Sequence, residues 1–399
     1  MEEKPRKGLS PNVILLSIVS FLNDLSSEMI MPILPMFLQS LGGGGQTVGL
    51  VGGLRDAISN ILKIFCGYWS DKTGERKLFI YAGYFVSSIF KLLLATSRAW
   101  PSAVLYSGLE RVGKGLRTAP RDAIIAESMT TERGKGFGIH RSLETAGAVL
   151  GTLVAFVLFW FLQLSFRNIV LIAGIIGFAA LVPIRFVSEP QGKPQKITLK
   201  LGLAALPPPL RLFIGIASLF ALGNFSYMFF ILKANALFPG RFSQAAPILL
   251  YALFNIVYSV LAAPLGILSD KIGRQKVIVF GYFLFAITAA GFAFFNSLAA
   301  FIALFALYGV YQAAIDGTQR AFVADMAREG LKATALGTFH TATGLAALPG
   351  GLLAGFLWER YSPQVTFLYG AALGLLSVLL FIGFGLYLKA KRSGGESSA

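Results

Sequence analysis

The sequence predicts an all-α membrane protein of twelve transmembrane helices, built as two related six-helix halves. Three observations carry that prediction. Of 399 residues, 55% are hydrophobic and 14% charged, against roughly 25% charged in soluble domains. Apolar runs of about 20 residues follow one another along nearly the whole chain. A charged turn also occurs twice. Gly67-Tyr68-Trp69-Ser70-Asp71-Lys72-Thr73-Gly74-Glu75-Arg76-Lys77 is nearly repeated by Gly266-Ile267-Leu268-Ser269-Asp270-Lys271-Ile272-Gly273-Arg274-Gln275-Lys276, 199 residues on. Backbone groups in lipid must be satisfied within their own segment, so the runs are helices. Alternating segments of about 10 residues, the mark of a β-barrel, are not seen.

The elements follow in order. Span 1 runs from about Asn12 to Leu38 and is followed by an outside turn, Gly42 to Gly45. Spans 2 to 6 continue to about Val187. A polar linker from Ser188 to Arg211 carries Pro190, Pro194 and Pro207 to Pro209, and within it Lys196 to Leu206 suit a short surface helix. Spans 7 to 12 run from about Leu212 to Leu388, and the tail from Lys389 to Ala399 reads as disordered. The expected division is 1–187, 188–211 and 212–399. The duplication extends beyond the turn. Leu22 to Ser27 in span 1 matches Leu222 to Tyr227 in span 7, and Gly138 and Gly151 match Gly337 and Gly350. Parallel six-span repeats imply two bundles related by an axis along the membrane normal, with a substrate site between them near the midplane.

Charge sets the topology. The net charge is +16, but the basic residues are not one patch. Lys4, Arg6 and Lys7, then Lys72, Arg76 and Lys77, Arg133 and Lys135, Lys193, Lys196 and Lys200, Lys271, Arg274 and Lys276, Arg328 and Lys332, and Lys389, Lys391 and Arg392 fall in alternate connections. The other connections hold little beyond Arg98, Arg167, Arg241 and Arg360. This bias places both termini in the cytoplasm of a multi-pass protein of the cytoplasmic membrane and argues against nucleic acid as a partner. The apolar stretch after the basic start is too long for a signal-peptide core and is expected to be retained as span 1. One cysteine, Cys66, excludes an internal disulfide and argues against a zinc-finger metal site. No phosphate-binding Gly-x-x-x-x-Gly-Lys-Ser/Thr loop, His-Glu-x-x-His or nucleophile motif is present, so neither an enzyme nor a cofactor is expected, and energy for transport would come from an ion gradient. A monomer is the expected state.

The repeated turn resembles the Gly-x-x-x-Asp-x-x-Gly-x-Arg/Lys-Arg/Lys signature of the major facilitator superfamily, in the two positions where that family carries it. The resemblance covers essentially the whole chain and implies a secondary transporter working by alternating access, of the bacterial or archaeal drug and metabolite exporter kind. Gly67, Asp71, Gly74 and Arg76, with Gly266, Asp270, Gly273 and Arg274, are then the expected gating residues. Glycine permits close helix approach, and the aspartates can pair with a base and latch the bundles. Glu75 stands where the family has a basic residue, so Arg76 and Lys77 must supply the positive partner. Arg111-Val112-Gly113-Lys114-Gly115 resembles the Arg-x-x-Gln-Gly motif of span 4, which ties Arg111 to proton coupling. Lys114 and Arg117 depart from that pattern, adding positive charge suited to an anionic group. Gly147 to Gly151 partly resembles the glycine-rich motif of facilitator antiporters, with Thr152 in place of proline.

Charges inside the spans mark the candidate site. A charge near the bilayer centre costs about 2.5–3.5 kcal/mol on insertion scales, so such groups face a cavity or each other. In span 4, Arg111, Lys114, Arg117 and Arg121 fall within roughly a 120° arc, with Glu110 and Asp122 beside them. The alternative for Arg117, Arg121 and Asp122 is a helix end with internal ion pairs. Asp24 and Glu28 of span 1 lie one turn apart on one face and suit a proton carrier or a cation site. Span 2 adds Arg55, Asp56 and Lys63, and span 5 adds His140 and Glu144. The second half holds fewer charges, Lys233, Asp316, Arg320 and His340, and Asn224 stands where span 1 has Asp24. The expected division is coupling in the first half and substrate shape in the second, through Asn224, Tyr227, Tyr251, Asn255, Tyr258, Tyr311 and Gln312. The substrate and coupling set is therefore Asp24, Glu28, Arg111, Lys114, Arg117, Glu144, Asn224 and Tyr227. The leading expectation is proton-coupled export of a small molecule. The alternative is a transition-metal ion or chelate held by Asp24, Glu28 and His140.

Overall fold

The computed structural model describes residues 9–129, 133–189, 206–327 and 331–396. Helices are the only regular elements among these residues. Span 1 is α1 (Pro11–Ile30) and α2 (Leu34–Ser40), opened by Pro11 and interrupted where Pro32 and Pro35 withhold backbone donors. Spans 2 to 5 are α3 (Gly45–Thr73), α4 (Arg76–Ala95), α5 (Trp100–Ser128) and α6 (Arg133–Trp160). Span 6 is α7 (Phe166–Ala179) with α8 (Leu181–Ile184), and the Ser165 hydroxyl caps α7 by accepting from the Asn168 amide at 3.3 Å. Span 7 is α9 (Pro208–Gly223) and α10 (Met228–Asn235). Spans 8 to 12 are α11 (Phe242–Ile272), α12 (Arg274–Phe294), α13 (Leu298–Met326), α14 (Lys332–Arg360) and α15 (Pro363–Glu396).

Ten of these segments are long and apolar enough to cross a membrane by length and composition. The other two spans, α3 and α5, are each 29 residues long and fall short because they carry the intramembrane charges. Exposed Ile175, Val260, Leu379 and Leu386 show the outer faces to be lipid-compatible.

Three expectations change. Span 1 is not continuous, and span 7 is broken at Asn224 to Tyr227. The expected disordered tail is instead α15, which continues to Glu396. The expected surface helix, Lys196 to Leu206, lies outside the described residues except for Leu206. Lys4, Arg6, Lys7, Pro190, Lys193, Pro194 and Arg328 lie outside them too.

The chain forms two compact units. One comprises Met1–Gly43, Ile58–Thr198 and Gln244–Ala252; the other comprises Gly44–Ala57, Leu199–Ser243 and Leu253–Ala399. In the first unit α1 packs on α6 and α7, and α4 on α5 and α7. In the second unit α9 packs on α14 and α15, and α12 on α13 and α15. These are the same pairings one repeat later, so the duplication read from the turns extends to helix packing.

The glycines at these seams explain the spacing. A Cβ at Gly147 would stand 2.5 Å from the Phe21 carbonyl oxygen of α1, and Gly151 meets the Leu25 carbonyl more closely still. Gly350 of α14 stands likewise against the Leu222 carbonyl of α9, at 2.5 Å. The glycine run of α6 therefore has a packing reason: it lets α1 approach.

The interiors differ. The first unit has a small apolar core around Val13, Leu16, Ile80, Tyr84, Ile124 and Ile125, and beside it a run of buried polar side chains. The second unit is filled with rings. Phe220 stacks on Tyr282 at 3.8 Å, and Phe230 lies against Tyr308 at 4.7 Å and Phe292 at 4.8 Å.

Candidate functional site

The repeated turns are built alike. Gly74 and Gly273 hold φ of +77° and +99°, a left-handed conformation open to glycine at little cost. Ser70 and Ser269 donate to the carbonyls of Gly67 and Gly266 at 2.9 and 2.7 Å. Arg76 binds Asp71 at 2.9 Å and reaches Glu127 at the end of α5. Arg274 binds Asp270 at 3.2 Å and reaches Asp325 on α13.

The two triads are out of step by one residue. At the 199-residue offset, Arg76 corresponds to Gln275 and Glu127 to Met326. The arginine and its distant acid have both moved back by one position, so the bridge survives. Each triad closes inside its own unit. Close approach is seen at Gly67, where a Cβ would stand 3.0 Å from that of Ala119, but not at Gly266, which faces open space.

The intramembrane charges gather in the first unit. Glu110 and Arg111 approach to 3.2 Å, and Arg111 also donates to the Met31 sulfur at 3.4 Å. Arg117, expected to meet substrate, is 4% exposed; it donates to the Ser87 hydroxyl at 2.6 Å and lies over the Tyr84 ring at 4.4 Å. It serves the α4–α5 contact. Arg121 binds Glu144 at 2.6 Å, Asp122 at 2.8 Å and the Ser20 hydroxyl at 3.1 Å. Glu144 has His140 at 3.3 Å and Arg141 at 3.2 Å as well, so this expected coupling acid is held by three bases.

Glu28 accepts from the Tyr251 hydroxyl at 3.0 Å, a contact to the part of α11 that groups with this unit. His140 is turned to Ser17 and Glu144. Among the described residues no three His, Cys, Asp or Glu side chains converge as a metal site, so the alternative set of Asp24, Glu28 and His140 is not assembled. Arg55 is buried and Asp56 exposed; both lie in the stretch of α3 that groups with the second unit.

Lys91 of α4 escaped the sequence reading. It is 1% exposed and donates to the Ser26 hydroxyl at 2.9 Å and to the Asn23 amide oxygen at 3.5 Å. A lysine so near a helix end reads as one that snorkels to the interface. The signal that could have found it is the Ser87-Ser88 pair one turn earlier, a polar face in an apolar span.

Two groups remain. Asp24 accepts one hydrogen bond, from its neighbour Asn23 at 3.1 Å, and has no ion pair among the described residues. Yet it is within electrostatic reach of Lys91, Lys114, Arg117, Arg121 and Glu144. Lys114 likewise has no hydrogen-bond or ion-pair partner for its ammonium among the described residues.

In the second unit, Asn224 and Tyr227 lie in the non-helical break between α9 and α10. Such backbone inside a membrane needs protein or water around it. Tyr311 is buried among Phe220, Phe285 and Tyr308, and Tyr258 donates to Asp316 at 2.8 Å.

Twelve spans, paired turns and a charged interior in one unit define a membrane transporter of the duplicated-bundle class. The family model for the Major Facilitator Superfamily matches residues 16–248 and 240–398, and the chain belongs to that superfamily. It is 52% identical over 380 residues to an uncharacterized MFS-type transporter of Methanocaldococcus jannaschii, covering 94% of this chain and 95% of the relative. It is 24% identical over 388 residues to the multidrug resistance protein MdtH of Aeromonas hydrophila, covering 92% and 94%. In fold it is similar to the nucleoside transporter NupG, with a TM-score of 0.79 at 15% identity over 94% of this chain and 98% of that one. A POT family transporter bound to a thioalcohol-conjugated peptide gives 0.77 at 12% identity, over 94% and 96%.

Proposed function

We propose that this protein is a secondary active transporter of the cytoplasmic membrane that couples proton movement to the passage of a small molecule by alternating access, with Asp24 as the proton carrier. One observation carries the reading. Asp24 is an intramembrane acid surrounded by cations and ion-paired to none of them among the described residues. An unpaired acid in a span is costly to keep and marks a proton or ion path by default. Arg111, on the neighbouring α5, matches the family's coupling arginine in sequence. Both termini are cytoplasmic in this reading, from the distribution of lysine and arginine.

Export, the direction expected from the sequence, is supported by the 24% identity to a protein named for multidrug resistance. One assay reads the direction. The protein is reconstituted in liposomes carrying a pH-sensitive dye, and candidate solutes are added from outside. Wild type is expected to move protons when its solute is present, and Asp24→Asn to abolish that movement. Solute-dependent proton flux that persists unchanged in Asp24→Asn would refute the role of Asp24.

A further inference from the structure

The other intramembrane charges of the first unit, Asp24 apart, have partners. Glu144 has three bases, Arg121 has Glu144 and Asp122, Arg117 has Ser87 and Tyr84, Arg111 has Glu110 and Met31, and Lys91 has Ser26 and Asn23. Lys114 is the exception. Among the charged groups that act on it most strongly, Arg111, Lys63 and Arg117 are positive and Asp24 is negative. The helix that carries it is fixed on both sides. Gly83 of α4 and Gly113 are nested, a Cβ on Gly83 falling 2.7 Å from the Gly113 carbonyl, while Gly115 abuts Leu62 of α3. Lys114 thus sits on a clamped helix, within the field of an acid it does not bind. An ammonium without a partner among the described residues, set in a positive field, gains from a second negative charge.

Resting on the transporter reading above, we infer that Lys114, supported by Arg111 and Lys63, receives an anionic group of the substrate at a site it shares with Asp24, so that the solute is a small organic anion and binds together with a proton on Asp24. The competition fixes the sign. Ionised Asp24 already supplies the negative charge that acts on Lys114, and it repels an incoming anion. Protonated Asp24 leaves that charge to the ligand. By linkage, the proton raises anion affinity and the anion raises proton affinity by the same factor.

The other groups around Asp24 do not supply this exchange. Arg117, Arg121 and Glu144 are engaged as described, Lys91 is tied to α1, His140 sits on Glu144, and Glu28, one turn along, accepts from Tyr251. Of the remaining helices packed on α1, α7 has one charged residue, Arg167, bonded to the Ser97 carbonyl at 2.8 Å, and α8 has none. Co-binding of proton and anion makes them travel in the same direction, which an inward proton gradient would drive as uptake.

The test uses the purified full chain and four probes: inorganic phosphate, benzoate, and benzylamine and benzyl alcohol as the cationic and neutral counterparts of benzoate. Thermal stabilisation and binding are measured from about pH 5 to pH 8. At least one anion is expected to stabilise wild type, with the amine and the alcohol inert. Its affinity should weaken by about tenfold per pH unit through the range in which Asp24 loses its proton. Lys114→Gln should lose the anion effect and Lys114→Arg keep it. Asp24→Asn should bind at least as tightly, with a flat pH profile. All variants are checked by size-exclusion profile, and Lys114→Arg and Asp24→Asn guard against misfolding of Lys114→Gln.

Equal anion binding in Lys114→Gln, or the wild-type pH slope persisting in Asp24→Asn, would overturn the inference, as would a response to the amine or to none of the four. The two readings fail separately. Anion binding without proton flux in liposomes would remove the transport reading alone. Proton flux with a cationic or neutral solute would remove the anion site alone.

Discussion

Replacing Glu144 by glutamine separates a structural acid from a coupling one. In the folded protein its carboxylate takes charge-assisted hydrogen bonds from Arg121 at 2.6 Å and Arg141 at 3.2 Å, with His140 at 3.3 Å. Arg141 is mostly exposed and its share is small. Arg121 is not: 11% of its side chain is accessible. Removing one member of a buried ion pair costs about 3–5 kcal/mol, because the other charge is left uncompensated. Here Asp122 remains on the far edge of the same guanidinium, with contacts of 2.8 and 3.0 Å, and the glutamine carbonyl can still accept from Arg121. The expected loss is therefore about 2–3 kcal/mol, below the full penalty. Thermal denaturation of the purified protein, followed by fluorescence-detected size exclusion, reads it as a clear fall in midpoint. Adding Arg121→Gln should return part of the loss, giving a coupling energy of about 1–3 kcal/mol in the double-mutant cycle. If Glu144→Gln were as stable as wild type while solute-driven proton flux disappeared, Glu144 would be a coupling acid and the ion-pair account would fall.

The glycines give a prediction of opposite signs on one helix. Gly147→Ala forces a Cβ to 2.5 Å from the Phe21 carbonyl and should cost about 1–3 kcal/mol, whereas Gly138→Ala enters open space and should gain up to ~1 kcal/mol in helix propensity; midpoints moving the same way would contradict the packing account. The two turns should differ in the same assay. Arg76 is 9% exposed and Arg274 is 26% exposed with acids more than half exposed, so Arg274→Ala should cost under ~1 kcal/mol and lose its effect in high salt, while Arg76→Ala should cost about 1–3 kcal/mol with little salt dependence. Equal losses with equal salt dependence would show that burial does not set their worth.

What the sequence made legible followed from rules that act locally. Hydropathy and the repeated turn disclose the spans and their duplication because lipid forces backbone groups to pair within a segment, and the turn's glycine must supply a left-handed backbone twice. Which intramembrane charge is satisfied cannot be read in the same way, because it depends on which helix lies opposite. Arg117 and Lys114 stand three residues apart on one arc of α5, and sequence alone assigns them one role. Packing divides them: α4 offers Arg117 a hydroxyl and an aromatic face, and offers Lys114 neither. Lys91 shows the converse, an unremarked lysine whose Ser26 and Asn23 partners lie on another helix. The triads make the same point at the turns, where arginine and acid shift by one position together, so that strict alignment hides a contact the fold preserves. Charge asymmetry between the halves is visible in the sequence. Its content, an acid and a lysine without an ion pair among the described residues, belongs to tertiary structure, and it is there that we propose the exchange of proton and ligand.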